Sequence, residues 1–446
     1  MNKQQPVSDP RQRQRLQHMD GQRSVNADAK EANALSCVRP VRGTAPAGVR
    51  MMAGLLPLMV VLLSSCGAAG ATRVVRQKAN QHIPEVNVPA THTDLANSSS
   101  AIQPVLTSSQ DTQIATQVNT LFTHLVAQQQ FSGTVLIAKG GHVLLEQGYS
   151  EANWTTKTPN TPLTRFYLGS VTKEFTAMAI LLLQQQGKLS VQNSICTYVK
   201  PCPPPWQPVT LHDVLTHTSG IPELDTPQLS GASPAAWIAS FDNAGLAFTP
   251  GSEFAYCSVC YQVLAYVVQQ VSGQPYKQFV QSAILTPLHM HDTGFDSTFF
   301  YAQPNDAHGY ASWQDEAGQL GWEVDPDWSF LFGSGLLYST VEDLYRWDQA
   351  LYTNVLADQQ TRDAAFTSYT QNSLFAGSTY GYGWFIAKSP VAGHRLIWHD
   401  GVIDGFRTYI GRYIDDDVTV IFLSNLATVD SPTLAQSVQQ VVFRAA

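Results

Sequence analysis

The sequence predicts an α/β (α+β) protein: an antiparallel sheet built from N- and C-terminal segments, flanked by helices, with an inserted, mostly helical subdomain. Three observations support this class. Strand patterns lie early, at residues 133–150, and return beyond Tyr380, while residues from about 170 to 360 are mostly helical in pattern. Strands at both ends can share one sheet only if distant segments pair. A pocket is therefore expected where the sheet meets the helical insertion.

Local patterns justify each element in turn. An amphipathic helix is expected from about Thr112 to Gln130, and the next two strands join at a Gly140-Gly141 turn. Later, Thr340 ahead of Asp343 indicates a cap that opens a helix. The late strand candidates are GYGWFIA, RLIWHD, FRTYIGRY and VTVIFLSN, with a turn at Asp415-Asp416-Asp417 and a final helix from about Ser431 to Arg444.

Composition limits the classes of function. The 446 residues are 44% hydrophobic and 13% charged, which suits a globular protein with a large core. The formal charge of −8 and a pI near 5.8 argue against a nucleic-acid partner, which would require a basic surface. No cofactor is expected, and the expected partner is a small molecule or a peptide.

The N-terminal region is expected to direct export. Residues 1–50 are polar and unpatterned, and are either disordered or the result of a mis-assigned translation start. Residues 51–66 resemble a lipoprotein signal peptide whose Cys66 would be lipidated, with an ordinary secretory signal as the alternative. Residues 67–111 are expected to form a low-complexity tether ahead of a folded domain at 112–446. The expected location is the cell envelope, with a lipid anchor in the membrane.

Four further cysteines fall into two pairs. Cys196 and Cys202 flank a short proline-rich loop, and a disulfide is expected there because an exported protein meets oxidising conditions. Cys257 and Cys260 lie only three residues apart, which would strain a helix. A bridge, a redox pair and a zinc site formed with the first pair all remain open for them.

The candidate nucleophile is Ser170, which precedes Lys173 by three residues and so shares a helix face with it. A serine hydroxyl needs a neighbour to take its proton, and a lysine with a lowered pKa can do so. An isolated pair of this kind is more simply a helix cap beside a solvated lysine. The apolar run that follows at helical spacing favours a buried helix instead, on which Thr172 and Glu174 are expected to face the polar side.

Several ordered motifs carry a family resemblance. After Ser170-Val171-Thr172-Lys173 come VLTHTSGIP at 214–222, PGSEFAYCSVCYQVLAYVVQQVSG at 250–273, PLHMHDTGF at 287–295, GSGLLYSTVEDLYRW at 333–347, YGYGWFI from 380 and HDG at 399–401. The chain resembles the serine β-lactamase and penicillin-binding group from about residue 112 to its end. It is most similar to the class C-like branch, which also contains D-alanyl-D-alanine carboxypeptidases and family VIII esterases. A β-lactamase/transpeptidase-like fold is therefore expected.

The resemblance implies roles for individual residues. Ser170 corresponds to the acylated nucleophile, Lys173 to its base and Tyr256 to the catalytic tyrosine. His399 and Gly401 fall where the family has Lys-Thr-Gly or His-x-Gly on a strand that lines the pocket.

The resemblance also implies an oxyanion hole formed by the N–H groups of Ser170 and Val402. Ser258 replaces the usual asparagine, and His399 replaces a permanently charged lysine. Both changes favour an esterase or a carboxypeptidase over a true β-lactamase. The alternative is a catalytically silent cell-envelope protein that binds or senses peptides with the same fold.

Other histidines have structural interpretations. His217 lies in a turn sequence that suits a hydrogen-bonded loop under the site. His289 and His291 form a His-x-His pair without a third ligand at metal-site spacing, so no metal site is expected.

Overall fold

A computed structural model of the chain describes residues 104–223, 234–241, 244–295, 303–313, 321–322, 332–389, 391 and 393–444. The predicted signal peptide, Cys66 and the tether up to residue 103 lie outside the described residues. Within them, no helix combines the length and apolar character required to cross a bilayer.

Helices and strands alternate in blocks along the chain. The helices are α1 Ser109–Ala127, α2 Thr172–Gln185, α3 Leu211–Leu215, α4 Pro234–Ala239, α5 Ser258–Ser272, α6 Tyr276–Val280, α7 Val341–Ala350, α8 Gln359–Ala365 and α9 Ser431–Arg444. The strands are β1 Gly133–Lys139, β2 His142–Tyr149, β3 Glu151–Asn153, β4 Thr158–Pro159, β5 Phe166–Tyr167, β6 Tyr310–Ser312, β7 Gly321–Trp322, β8 Tyr338–Ser339, β9 Thr370–Gln371, β10 Thr379–Tyr380, β11 Phe385–Lys388, β12 Arg395–Ile403, β13 Phe406–Tyr413 and β14 Val418–Ser424.

The main sheet joins the two ends of the folded region, as predicted. Its eight strands run in the order β2-β1-β14-β13-β12-β11-β10-β9. The first strand pairs antiparallel with the last, with Leu136 opposite Ile421. The β1–β2 hairpin turns at Gly140 and Gly141, whose φ angles of 59° and 74° suit a tight turn that other residues rarely adopt.

Each face of this sheet is covered by different helices. On one face, Ile114 of α1 and Val438 of α9 belong to a cluster with Phe422 of β14. On the other face, Phe175 of α2 belongs to the larger cluster, which includes Ile410 of β13. All side chains of α2 from Thr172 to Leu183 are buried. Helix α2 therefore lies between the sheet and the helical insertion, with its N-terminus at the boundary between them.

A buried ion pair connects the helical insertion to the sheet. Arg412 of β13 donates through Nε to Oδ1 of Asp348 at 2.5 Å, and Thr419 Oγ1 donates to the other carboxylate oxygen at 2.6 Å. Asp348 lies in the last turn of helix α7, which begins at the predicted cap, where the Thr340 side chain accepts from Asp343 N–H. The position of α7 against β13 and β14 is thus defined by charge as well as packing.

Both cysteine pairs lie at bonding distance. The Sγ atoms of Cys196 and Cys202 are 1.97 Å apart, and those of Cys257 and Cys260 are 2.07 Å apart. Cys257 occupies the N-cap of α5 and has an extended backbone, so this pair does not have to fit inside a helical turn. The bridge between them is thereby compatible with the three-residue spacing.

Candidate active site

Ser170 lies in a single 3-10 turn, Gly169–Val171, that leads directly into α2. Gly169 has a φ of 53°, and a Cβ atom there would lie 2.9 Å from the backbone nitrogen of Val402. Glycine is therefore required for the turn to approach β12 so closely. This approach places the Ser170 backbone beside the strand that carries His399, Gly401 and Val402.

Lys173 follows one turn later and points back at the serine. Its Nζ lies 3.0 Å from Ser170 Oγ and donates to the Ser334 carbonyl at 3.0 Å. Burial lowers the pKa of Lys173 to about 7, against the opposing attraction of Glu223 and Asp400. A large share of the amine is then uncharged near neutral pH, which is what a general base requires.

Tyr256 completes the group around the amine. The Lys173 Nζ lies 4.9 Å from the centre of the Tyr256 ring. The phenol oxygen is buried and makes no regular hydrogen bond among the described residues. Burial raises the pKa of Tyr256 well above its usual range, and the nearby Ser170 hydroxyl opposes this rise. The phenol is therefore protonated at neutral pH and can donate a proton.

His217 holds the segment that carries Tyr256. Its carbonyl accepts from Ala255 N–H at 2.9 Å, and its Nδ1 accepts from Cys257 N–H at 3.0 Å. Its ring also lies 4.3 Å from the Tyr256 ring. Because Nδ1 accepts, the ring proton belongs on Nε2, and burial lowers the pKa of His217 well below its usual range. The sequence indicated a structural role under the site, and the structure places this histidine there.

His399 faces the same cluster from β12. Its Nδ1 lies 2.6 Å from the Asp400 carbonyl, and its Nε2 lies 3.1 Å from the Tyr380 hydroxyl. A carbonyl can only accept, so Nδ1 carries the proton and Tyr380 donates to Nε2. Burial lowers the pKa of His399 to about 3. The imidazole is therefore neutral at all ordinary pH values and supplies no positive charge.

The end of β12 lies against the chain just before the nucleophile. A Cβ atom on Gly401 would lie 1.9 Å from the Leu168 carbonyl and 2.2 Å from Thr408 Oγ1. The Thr408 hydroxyl donates to that carbonyl at 2.7 Å. Glycine at 401 is thus required for Ser170 and Val402 to be neighbours across the two segments, which is the arrangement an oxyanion hole needs.

Comparison with known proteins agrees with this geometry. Residues 118–443 match the family described as Beta-lactamase. The chain belongs to the β-lactamase family. Penicillin-binding protein 4* of Bacillus subtilis (strain 168) is 32% identical over 333 residues, covering 69% of this chain and 71% of that protein.

Two solved structures share the fold of this β-lactamase family member. The octameric penicillin-binding protein homologue from Pyrococcus abyssi aligns with a TM-score of 0.67 at 27% identity, over 74% of this chain and 77% of that one. EstCE1, a hydrolase with promiscuous acyltransferase activity, aligns with a TM-score of 0.65 at 19% identity, over 75% of this chain and 100% of that one. The predicted family and fold class are confirmed, and the family is generally one of serine hydrolases.

Two carboxylates beside the site of this family member were not singled out from the sequence. Glu223 Oε2 accepts from the N–H groups of Ser258 and Val259, at 2.8 and 3.3 Å, and so caps α5. Burial raises the pKa of Asp400 to about 6 even though Lys173 and other groups lower it. The Glu223 cap links residues 35 positions apart, and such a contact leaves no local pattern in the sequence.

The expectation that Thr172 and Glu174 face a polar side was wrong. Both are fully buried. Thr172 Oγ1 accepts from Leu337 N–H at 3.1 Å, and Glu174 Oε2 accepts from Trp347 Nε1 at 2.9 Å. Segments far along the chain cover this side of α2, and burial raises the pKa of Glu174 well above its usual range.

His289 and His291 lie near each other, as their spacing suggests. The two rings lie 5.9 Å apart. In the part of the chain that the structure describes, no group of three or more histidine, cysteine or acidic side chains could hold a metal ion.

Proposed function

We propose that this protein is a serine hydrolase that forms an acyl-enzyme on Ser170. The observation that carries the proposal is the 3.0 Å contact between Ser170 Oγ and an Lys173 amine whose pKa burial lowers to about 7. A nucleophile beside a base of matched pKa is the arrangement that acyl transfer requires. A protein that only binds peptides has no use for such a pair.

The reaction would proceed in two balanced halves. The neutral amine of Lys173 takes the Ser170 proton as Oγ attacks the carbonyl carbon, and the carbonyl oxygen becomes an oxyanion. The N–H groups of Ser170 and Val402 stabilise that oxyanion. As the tetrahedral species collapses, Tyr256 donates a proton to the leaving oxygen or nitrogen and recovers one from Lys173. A water molecule then attacks the acyl-enzyme by the same steps and releases the acid.

The charges of the site favour some members of the family's substrate range over others. A lysine at position 399 could grip a substrate carboxylate, but His399 is neutral and Asp400 follows it. Ser258 is too short to copy the amide contacts of asparagine. We therefore place ester hydrolysis, or cleavage of D-amino-acid peptides as in the carboxypeptidases, ahead of β-lactam hydrolysis.

Labelling with a fluorophosphonate and a fluorescent penicillin tests the mechanism. The full chain should be labelled by at least one probe, and Ser170→Ala should not be labelled at all. Lys173→Ala and Tyr256→Phe should lose about 10²- to 10⁴-fold in turnover of p-nitrophenyl esters or D-amino-acid peptides. Absence of any Ser170-dependent label or turnover, together with saturable peptide binding that survives Ser170→Ala, would establish a silent binding protein instead.

The location of the enzyme is part of the same proposal. Export to the cell envelope with a lipid on Cys66 would place the hydrolase beside peptide and ester substrates of the envelope. Mass spectrometry of the mature N-terminus should find a lipidated Cys66, and Cys66→Ala should release the protein from the membrane fraction. Recovery of residues 1–50 on the exported protein would contradict this processing.

A further inference from the structure

A second cleft lies away from the catalytic serine. It has a volume of about 580 Å³ and lies between α8 and the adjoining ends of β12 and β13. Arg395, at its mouth, begins β12, whereas Val402 lies seven residues further along the same strand. At about 3.3 Å per residue, the two positions are roughly 23 Å apart. The cleft is therefore outside the acyl-transfer site.

Three guanidinium groups line this cleft. They belong to Arg362, Arg395 and Arg412, and of the described lining residues only Asp363 carries a carboxylate. The chain as a whole has a formal charge of −8. A concentration of positive charge on an acidic protein is a local feature that attracts anions from solution.

Two of the three charges have no acidic partner. Arg395 Nη2 donates to the Phe366 carbonyl at 2.6 Å. Arg362 Nη1 donates to Asn354 Oδ1 and to the Ala357 carbonyl, both at 2.6 Å. These acceptors are neutral, and among the described residues no carboxylate lies within 4.0 Å of either guanidinium. Each arginine thus keeps its full charge and further N–H groups.

The floor of the cleft contains the buried guanidinium of Arg412. Arg412 is 1% exposed, and its Nη1 has no hydrogen-bond partner among the described residues. Its guanidinium lies 4.5 Å from the centre of the Tyr352 ring and 5.1 Å from that of Phe366, and both rings line the cleft. The Tyr352 hydroxyl is also buried, and it interacts with the Arg412 guanidinium beside it. The floor of the cleft therefore consists of one buried guanidinium beside two aromatic rings.

We infer that this cleft is a binding site for a small oxyanion, a carboxylate or phosphate group carried on a compact molecule with an apolar part. Arg395 and Arg362 would bind the anion, because the planar guanidinium matches two oxygens of either group. The Phe366 ring and the Ile414 side chain would contact the apolar part. Arg412 is already paired with Asp348, so it would form the floor beneath the anion without adding net charge. This inference does not depend on the proposed acyl-enzyme.

Isothermal titration of the full chain tests the site with three probes. Inorganic phosphate and benzoate supply the two oxyanions, and benzamide supplies the same ring without the charge. We expect one phosphate or benzoate per chain and no binding of benzamide. Tighter binding of phosphate would identify a phosphoryl ligand, and tighter binding of benzoate a carboxylate ligand.

Variants distinguish a built site from general charge attraction. Arg395→Gln should weaken binding of the anion at least tenfold. Arg362→Gln should weaken it to a similar extent, and the melting temperature of this variant shows whether it still folds. Arg444→Gln, which removes an exposed charge at the end of α9, is the matched control and should bind as the parent does. The inference is overturned if neither anion binds or if Arg395→Gln binds the anion as the parent does. It is also overturned if sodium chloride at equal ionic strength gives the same binding heat as phosphate or benzoate.

Discussion

His217 offers the sharpest test of how the tyrosine is positioned. Its carbonyl and its ring nitrogen accept from the N–H groups on either side of Tyr256, and it adopts a φ of 59°. His217→Ala removes the ring acceptor and leaves the Cys257 N–H buried without a partner. His217→Asn keeps an acceptor oxygen at a similar distance, and asparagine tolerates a left-handed backbone better than most residues.

The size of the effect follows from the lost hydrogen bond. Leaving a buried N–H unsatisfied costs about 1–3 kcal/mol. If that cost is expressed in the transition state, where Tyr256 must be aligned, kcat/KM falls by about 5- to 150-fold. We expect the loss mainly in kcat, since the segment contacts the proton path rather than the bound substrate. His217→Asn should recover most of the activity.

Steady-state kinetics and thermal melting, measured together, separate positioning from stability. His212 is the control, because it is a half-buried histidine away from Tyr256, whose Nδ1 lies 2.7 Å from the Tyr382 hydroxyl. His212→Asn should lower the melting temperature and leave kcat nearly unchanged. If His217→Ala lowers only the melting temperature and keeps kcat within twofold of the parent, His217 does not position Tyr256 and the reasoning fails.

Three further outcomes are expected. Activity should rise tenfold per pH unit up to about pH 7 and then level off, as Lys173 loses its proton. Glu223→Gln removes an attraction that raises the pKa of Lys173, so the pH at which activity levels off should fall. If that pH does not change, Glu223 does not influence the pKa of Lys173. Burial raises the pKa of Glu174, so the folded state loses stability as pH rises above the usual carboxyl pKa. Glu174→Gln should therefore have a higher melting temperature than the parent at pH 8 but not at pH 4. Equal changes in melting temperature at the two pH values would contradict this. Replacing Cys257 and Cys260 by serine should lower kcat more than the same change at Cys196 and Cys202, since Cys257 directly follows Tyr256 in the chain.

Most of the fold was predictable because its signals are local. The β1–β2 hairpin and the final helix follow from alternation, glycine turns and helical periodicity, and the helix bounds of Ser431 and Arg444 agree with the prediction. Helix α1 begins at Ser109 rather than about Thr112, because Ser108 caps it by accepting from Asp111 N–H. That cap lies in a serine- and threonine-rich stretch with several candidate positions, so the sequence alone could not select it.

The electrostatic state of the site was much harder to predict. The spacing of Ser170 and Lys173 predicts their contact, because three residues of helix bring two side chains together. The neutrality of His399 and the burial of Glu174 depend on groups from distant segments, such as Tyr380 and Trp347. A sequence pattern reports which residues share a face, but not what the rest of the chain packs against that face.

Burial, rather than paired charge, sets the chemistry of this site. The same desolvation lowers the pKa of Lys173 and His399 and raises that of Tyr256, so above pH 7 all three are neutral around an uncharged serine. In the proposed mechanism, the negative charge of the transition state would appear beside these neutral groups and the Asp400 carboxylate, which a pKa of about 6 leaves charged above pH 7. Backbone N–H dipoles and the newly protonated amine would then stabilise the oxyanion at low dielectric. Water admitted to this cluster would return Lys173 toward its usual pKa and protonate the base. The proposed reaction would therefore require the tight packing of α2 between sheet and insertion, which the fold also uses.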